Sequence, residues 1–293
     1  MSYDLHLKPR LGEFSPRDFL ASFEGRPRYT LNGTQAWYEN PDTGVTFSFE
    51  VNSDDDEVED DDPAGSYPVS FNMNLFRPSF FVLEAELELT RVVRQFDFEV
   101  FDPQFDVKKG AAYEPSRFVA QWQWANTSAT AALLADEKDT PVRTLPAATL
   151  ERIWRWNYDR SALQSKLGDS VFVPSIMFFA GSDVVNTVVV WADCIPCVFP
   201  TFVDRVVVYL QQMAPWRLFG RKPTLAQVDW RRLAPILDPH GRPDGDTFRV
   251  DYQEAPPDVI AFARSLKPSA TDPVGIQPAL VLDAEIVARV RGG

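Results

Sequence analysis

The chain reads as an α+β fold, with mixed or antiparallel sheets, helices packed on one face, and two closely packed subdomains. Three patterns support this reading. Val45, Phe47, Phe49 and Val51 alternate with polar residues, and Val69, Phe71, Met73 and Leu75 do the same. That period of two belongs to half-buried strands. Leu83, Leu87 and Val92 recur at helical spacing instead. Gly, Pro, Asn and Asp clusters punctuate the chain between these runs.

Residues 3–7 form a short predicted strand. Ser15-Pro16-Arg17-Asp18 is a helix start: Ser15 caps, Pro16 suits the first helical position, and Asp18 favours the helix dipole. Phe19, Leu20 and Phe23 follow as its apolar stripe. Asn32-Gly33 between residues 29–31 and 36–38 is a hairpin signal, and residues 40–44 form a second turn. The two alternating strands then pair as a hairpin, residues 80–96 form a helix, and residues 98–101 a strand. The first half therefore reads β-α-β-β-β-β-α-β, with two helices on one face of its sheet.

The polar segment 102–115 suggests a boundary, giving parts 1–105 and 111–293. Helices are predicted over 116–134 and 146–167. Each carries a Trp-x-Trp followed closely by Asn: Trp122, Trp124 and Asn126, then Trp154, Trp156 and Asn157. Such a pair normally places one Trp in the core and one partly in solvent, although a faint internal repeat is the other reading. Strands follow at 171–179, 184–191 and 205–210. Thr224-Leu225-Ala226-Gln227 has the form of a capping box opening a helix to about 237. Residues 238–246 read as a loop, 248–252 as a strand and 257–266 as a helix. Residues 279–290 are ambiguous between strand and helix.

Eight acids occupy nine consecutive positions: Asp54, Asp55, Asp56, Glu57, Glu59, Asp60, Asp61 and Asp62, interrupted only by Val58. Residues 1–150 hold 26 acids and 13 bases, whereas residues 151–293 hold 16 of each, so the whole net charge of −13 arises in the first half. This charge disfavours nucleic acid and favours a basic protein partner. The run itself has three readings: a solvated loop, a docking surface for a cationic partner, or a calcium site. Calcium is disfavoured because the spacing Asp-x-Asp-x-Asp-Gly is absent.

No run of about 18 apolar residues is present, as a membrane-spanning helix would require. The N-terminus lacks the basic-then-apolar order of a signal peptide, so a cytoplasmic protein is expected. The 22 Arg against 7 Lys fit a GC-rich bacterial coding sequence. A zinc site would need Cys194, Cys197, His6 and His240, the whole supply of these residues, to converge. No cofactor or metal is implied.

Cys194-Ile195-Pro196-Cys197 after the run Val188-Val189-Val190 resembles the start of a thiol redox site. That chemistry needs a thiolate at a helix N-terminus. Here Asp193 stands where such sites carry Trp, and the following segment reads as strand. An enzyme built on carboxylates is a further alternative. Glu84, Glu86 and Glu88 share a helix, but on an amphipathic helix such residues usually form its wet face. With two His in the chain, a Ser-His-Asp arrangement has little material.

Four strings carry a family resemblance: residues 40–50, residues 71–81, Phe101-Asp102-Pro103-Gln104 and Val171-Phe172-Val173-Pro174. They resemble uncharacterised bacterial proteins of the toxin-antidote (immunity) kind, mainly over residues 3–104 and more faintly over 150–210. The resemblance implies a stoichiometric inhibitor that binds a toxin domain directly. It carries over no functional residue. The candidate contacts are the acidic run, Glu50, Trp37 and Tyr38.

Overall fold

The computed structural model describes residues 1–52, 67–105, 112–136, 142–181, 184–213, 216–217, 220–221, 223–269 and 274–292. The fold is α+β, with mostly antiparallel sheets. The chain divides into two compact units, Met1–Glu151 with Ala279–Gly293, and Arg152–Pro278. The division falls inside a helix rather than at residues 105–111.

The first unit opens with β1 (Ser2–Pro9), α1 (Pro16–Ala21), β2 (Tyr29–Asn32), β3 (Gln35–Glu39), β4 (Thr46–Val51) and β5 (Val69–Asn74). Then come α2 (Phe80–Phe96), β6 (Phe98–Phe101), α3 (Pro115–Asp136), β7 (Arg143–Leu145) and the first turn of α4 (Ala147–Leu167). Six strands form one sheet in the order β2-β3-β4-β5-β1-β6, antiparallel throughout. The alternation read from the sequence is the alternation of its faces. Tyr3, Leu5 and Leu7 lie opposite Met73, Phe71 and Val69, and all six are buried. Phe47 and Phe49 continue this apolar face, and Phe118 of α3 packs on it at 5.8 Å from the Phe71 ring. Ser15 caps α1 as expected, accepting from the Asp18 amide at 3.2 Å.

The second unit takes the rest of α4 and continues with β8 (Met177–Ala180), β9 (Val185–Ala192), β10 (Cys197–Pro200), β11 (Arg205–Leu210), β12 (Trp216–Arg217), β13 (Gly220–Arg221) and β14 (Thr224–Asp229). Then follow α5 (Trp230–Leu237), β15 (Gly241–Asp244), β16 (Thr247–Val250), α6 (Pro257–Ser265) and β17 (Gly275–Ile276). Its main sheet runs β14-β11-β9-β8-β17, in which β9 and β11 are parallel, and β10-β16-β15 form a second sheet. Thr224-Leu225-Ala226-Gln227 is therefore a strand, not a helix start. Residues 224–229 pair antiparallel with β11, burying Ala226 and Val228 at a period of two, and the helix begins only at Trp230. Part of the expected 238–246 loop is strand β15, and the strand expected over 171–179 starts at Met177.

The ambiguous C-terminal segment returns to the first unit as β18 (Val281–Asp283) and α7 (Ala284–Gly292). α3 packs on both α2 and α7, which is why it belongs to this unit. Leu134, Leu282 and Val287 form a small buried cluster. Asp283 supplies a cap from outside the helix it caps. Its carboxylate accepts from the Ser79 amide at 2.8 Å and the Ser79 hydroxyl at 2.6 Å, at the start of α2. Burial holds the Asp283 carboxyl above its ordinary range, against the opposing effect of these bonds. The folded state therefore favours the protonated form. The associated stability is present below pH 3.8 and is lost as pH rises through the raised value. Asp283→Ala is expected to cost about 2 kcal/mol at neutral pH, because Ser79 loses its acceptor. Asp283→Asn keeps an acceptor without the charge, so a smaller loss and a flatter stability curve in mildly acidic buffer are expected. Urea denaturation across pH measures both.

The two Trp-x-Trp segments share a chemistry. Trp122 is buried and Trp124 is exposed; Trp154 is buried and Trp156 is half-buried. Each neighbouring Asn clamps the backbone of one distant residue. Asn126 donates to the Arg77 carbonyl at 2.8 Å and accepts from its amide at 3.1 Å. Asn157 does the same with Ile176, at 2.9 and 2.8 Å. Both Asn residues are almost wholly buried. One helical turn after a core Trp, each ties its helix to the approach to another element of the same unit, Asn126 to that of α2 and Asn157 to that of β8.

Candidate functional site

The face of the six-stranded sheet opposite the apolar core is polar, and it carries part of the candidate surface. Across the strands, Trp37, Ser48, Asn72 and Asp4 form one row, and Gln35, Glu50, Ser70 and His6 form the next. The rows are laced together: Asn72 donates to Asp4, Gln35 to Ser48 at 3.3 Å, and Ser70 to the Asn52 side chain at 3.1 Å. His6 Nδ1 lies 3.2 Å from the Ser70 hydroxyl. Glu50 is exposed and Trp37 half-buried on this face. The Trp37 indole N–H donates to the Glu39 carboxylate at 3.5 Å, and Trp is among the side chains enriched at the energetic centres of protein interfaces.

Tyr38 does not share this face. The period of two turns it into the core, where it stacks on Phe47 at 4.3 Å and donates to Glu84 at 2.6 Å. It is buried and cannot meet a partner at the surface.

The acidic run lies outside the described residues, but both of its stems are fixed. β4 and β5 are paired up to Val51 and Val69. Beyond them the Asn52 amide donates to the Pro68 carbonyl at 2.9 Å, and its side chain donates to the Tyr67 carbonyl at 2.7 Å. Tyr67 is anchored in turn, stacking on Phe101 with the Lys8 ammonium 4.8 Å from its ring centroid. The eight acids are thus inserted at the end of a hairpin whose strands carry Glu50 and Ser70. The first unit holds 29 of the 42 acids and 15 of the 29 bases, a net charge of −14, whereas the second holds 13 acids and 14 bases.

A buried carboxylate site left little trace in the sequence. Glu84 is fully buried, not on a wet helix face. Besides Tyr38, Asn40 donates to it at 2.7 Å. One turn on, Glu88 accepts from the Tyr29 hydroxyl at 2.8 Å and pairs with Arg26 at 3.3 Å and with Arg91. Desolvation raises the Glu88 carboxyl above its usual range and pushes both tyrosine hydroxyls far above theirs. The one available signal was Asn40 and the tyrosines of β2 and β3, polar groups on a face that otherwise reads apolar.

Cys194 and Cys197 are both buried free thiols. Asp193 and Cys194 are consecutive left-handed residues, with φ of 44° and 55°, and the Ile195 amide closes the turn onto the Ala192 carbonyl at 3.0 Å. This is a type I′ turn without glycine, a conformation costly for Cys. Its surroundings hold it. The Asp193 carboxylate accepts from the amides of Gln211, Gln212 and Met213 at 2.8, 3.1 and 3.0 Å. Tyr252 donates to the Cys194 carbonyl at 2.6 Å, and the Trp191 indole to that of Ile195 at 2.7 Å. Burial pushes the Cys194 thiol up to about 12, and Cys197 well above its ordinary value. Cys197 opens a strand rather than a helix, so no helix dipole offsets that burial. Both thiols are expected to resist a thiol reagent at pH 8 in the native protein and to react at once in denaturant. A native-state rate close to that of free cysteine would contradict this.

Among the described residues, no cluster of three or more His, Cys, Asp or Glu is arranged to hold a metal ion. None of their helices is long and apolar enough to cross a membrane. No protein-family model, curated protein or solved structure matches the chain.

Proposed function

We propose that this chain is a binding protein of the immunity kind, which neutralises a toxin domain by direct contact through its acidic first unit. The observation that carries the reading is charge segregation: a net −14 in one unit beside near-neutrality in the other, with eight acids spliced between two paired strands. In this reading the run attracts a basic partner at long range and sets the association rate. Trp37 and Glu50, on the adjoining polar face, supply short-range contact and orientation. The protein works in the cytoplasm and needs no cofactor. The raised thiols favour binding over the thiol-redox alternative, since neither sulfur carries useful thiolate at neutral pH.

The test is capture from the cells that encode the chain, with the native protein and with a variant in which the eight acids of the run become Asn or Gln. A basic partner held at 50 mM salt, released at 500 mM and absent from the variant supports the reading. Equal capture by both forms, or no partner at either salt, overturns it.

A further inference from the structure

We propose that the second unit binds a small organic anion with a flat apolar body, in two adjoining grooves that share Phe202. The first groove, of about 690 Å³, is lined by Arg205, Asp229, Arg231 and Arg232, among others. The second, of about 480 Å³, is mainly apolar and is lined by Trp156, Leu163, Arg152 and Lys166, among others. Both lie in the range of small-molecule sites. Phe202 lines both, so a ligand reaching from one into the other crosses its ring.

Charge gives the preference for an anion. The carboxylates of the first groove already have partners. Asp204 accepts from the Thr187 amide and hydroxyl, each at 2.8 Å, and Asp229 pairs with Arg205 at 3.5 Å. Arg231 and Arg232 are exposed there with no carboxylate partner among the described residues; Arg232 only lies over the Phe262 ring at 5.9 Å. In the second groove Asp246 is committed to Arg152 at 2.5 Å, and Lys166 and Asp159 face the same space without ion pairs among the described residues. Counting Arg155 in the second groove, each groove carries one more base than acids, and in the first the two bases without an ion pair among the described residues are Arg231 and Arg232. Arg231 and Arg232 both line the first groove; a guanidinium suits a carboxylate, sulfonate or phosphate head, and the apolar groove suits the rest of the molecule.

The shared wall is held before any ligand arrives. Thr201 donates twice to the Asp246 carbonyl, through its amide at 2.9 Å and its hydroxyl at 3.0 Å. On the other side of Phe202, the Asp204 amide donates to the Thr187 carbonyl at 3.1 Å, and the Trp230 amide donates to the Asp204 carbonyl at 3.0 Å. The Arg152 guanidinium lies over the Phe202 ring at 4.0 Å. With the backbone held on both flanks of Phe202, this segment loses little conformational freedom on binding, which favours affinity.

The experiment titrates the full chain with an anilinonaphthalene sulfonate and with the neutral N-phenylnaphthylamine, following fluorescence. The sulfonate is expected to bind saturably at one site, at least about tenfold tighter than the amine, and more weakly as salt rises. R231E/R232E should weaken the sulfonate at least about tenfold and leave the amine unchanged, while Phe202→Ala weakens both. Unchanged urea midpoints establish that the variants are folded. Should a variant fail to fold, the salt dependence of the two probes on the native chain decides alone. Equal affinity for both probes, no saturable binding, or sulfonate binding insensitive to salt or to R231E/R232E would overturn the proposal.

Discussion

Glu84→Ala is expected to destabilise the first unit by about 3–5 kcal/mol, with a fall in Tm on the order of 10 °C. Glu84 sits in the core with no solvent exposure, receiving hydrogen bonds from the Tyr38 hydroxyl and the Asn40 amide. Truncation strands both donors in a space closed to water, and each stranded group costs roughly 1–3 kcal/mol. The side-chain volume is lost too, leaving a void beside the Tyr38 hydroxyl. Asn40 is also the hinge of the turn before β4: its side chain accepts from the Asp42 amide at 3.1 Å and its carbonyl from Gly44 at 2.7 Å. Releasing Asn40 therefore loosens the turn that sets the β3–β4 register. Glu84→Gln keeps the shape but turns an amide toward two donors, so an intermediate loss is expected. A calorimetric loss below about 1 kcal/mol for Glu84→Ala would mean that water or another acceptor replaces the carboxylate.

Asp193→Ala is expected to cost the second unit about 2–4 kcal/mol. Two effects add. The amides of Gln211, Gln212 and Met213 lose a common acceptor as the chain leaves β11. Alanine must also adopt the left-handed backbone that Asp tolerates, at roughly 1–2 kcal/mol. Asp193→Asn should recover most of the backbone cost and part of the bonding, giving a loss about half as large. Urea denaturation followed by Trp fluorescence reads both, since Trp191 donates to the closing residue of the same turn. Equal stability of the Ala and native forms would show that the turn is held by Tyr252 and Trp191 alone.

Much of the first unit is legible in the chain because a strand with one buried face leaves a pattern of period two, and β1, β4 and β5 all have one. The pairing of β4 with β5 follows from two such strands flanking a run of like charge. The division of each Trp-x-Trp into a core and an outer ring follows from helical geometry. Three features escaped for physical reasons. Glu84 and Glu88 show the spacing of a solvated helix face, and only the tyrosines and Asn40 across the fold make Glu84 an interior residue. Thr224 to Gln227 satisfies a local capping rule, yet β11 offers that segment a full ladder of hydrogen bonds, and tertiary pairing overrides local propensity. The cap that Asp283 gives Ser79 joins residues 204 positions apart, beyond the reach of any local pattern. The unit division at Glu151–Arg152 leaves no turn or linker signal because it runs through one continuous helix. For the candidate surface, charge and the position of the acids were readable, as was Trp37; the inward turn of Tyr38 followed from the alternation once the register was known.

Steering of a basic partner by the acidic unit, as proposed, is read in the association rate constant between the two proteins. Stopped-flow measurement from 50 to 500 mM salt should give a rate falling on the order of 10–100-fold, with the eight-acid neutralised variant slow and nearly flat over the same range. Dissociation rates should differ far less between the two forms. An association rate that is the same for both proteins, and indifferent to salt, would rule out steering by the acidic unit.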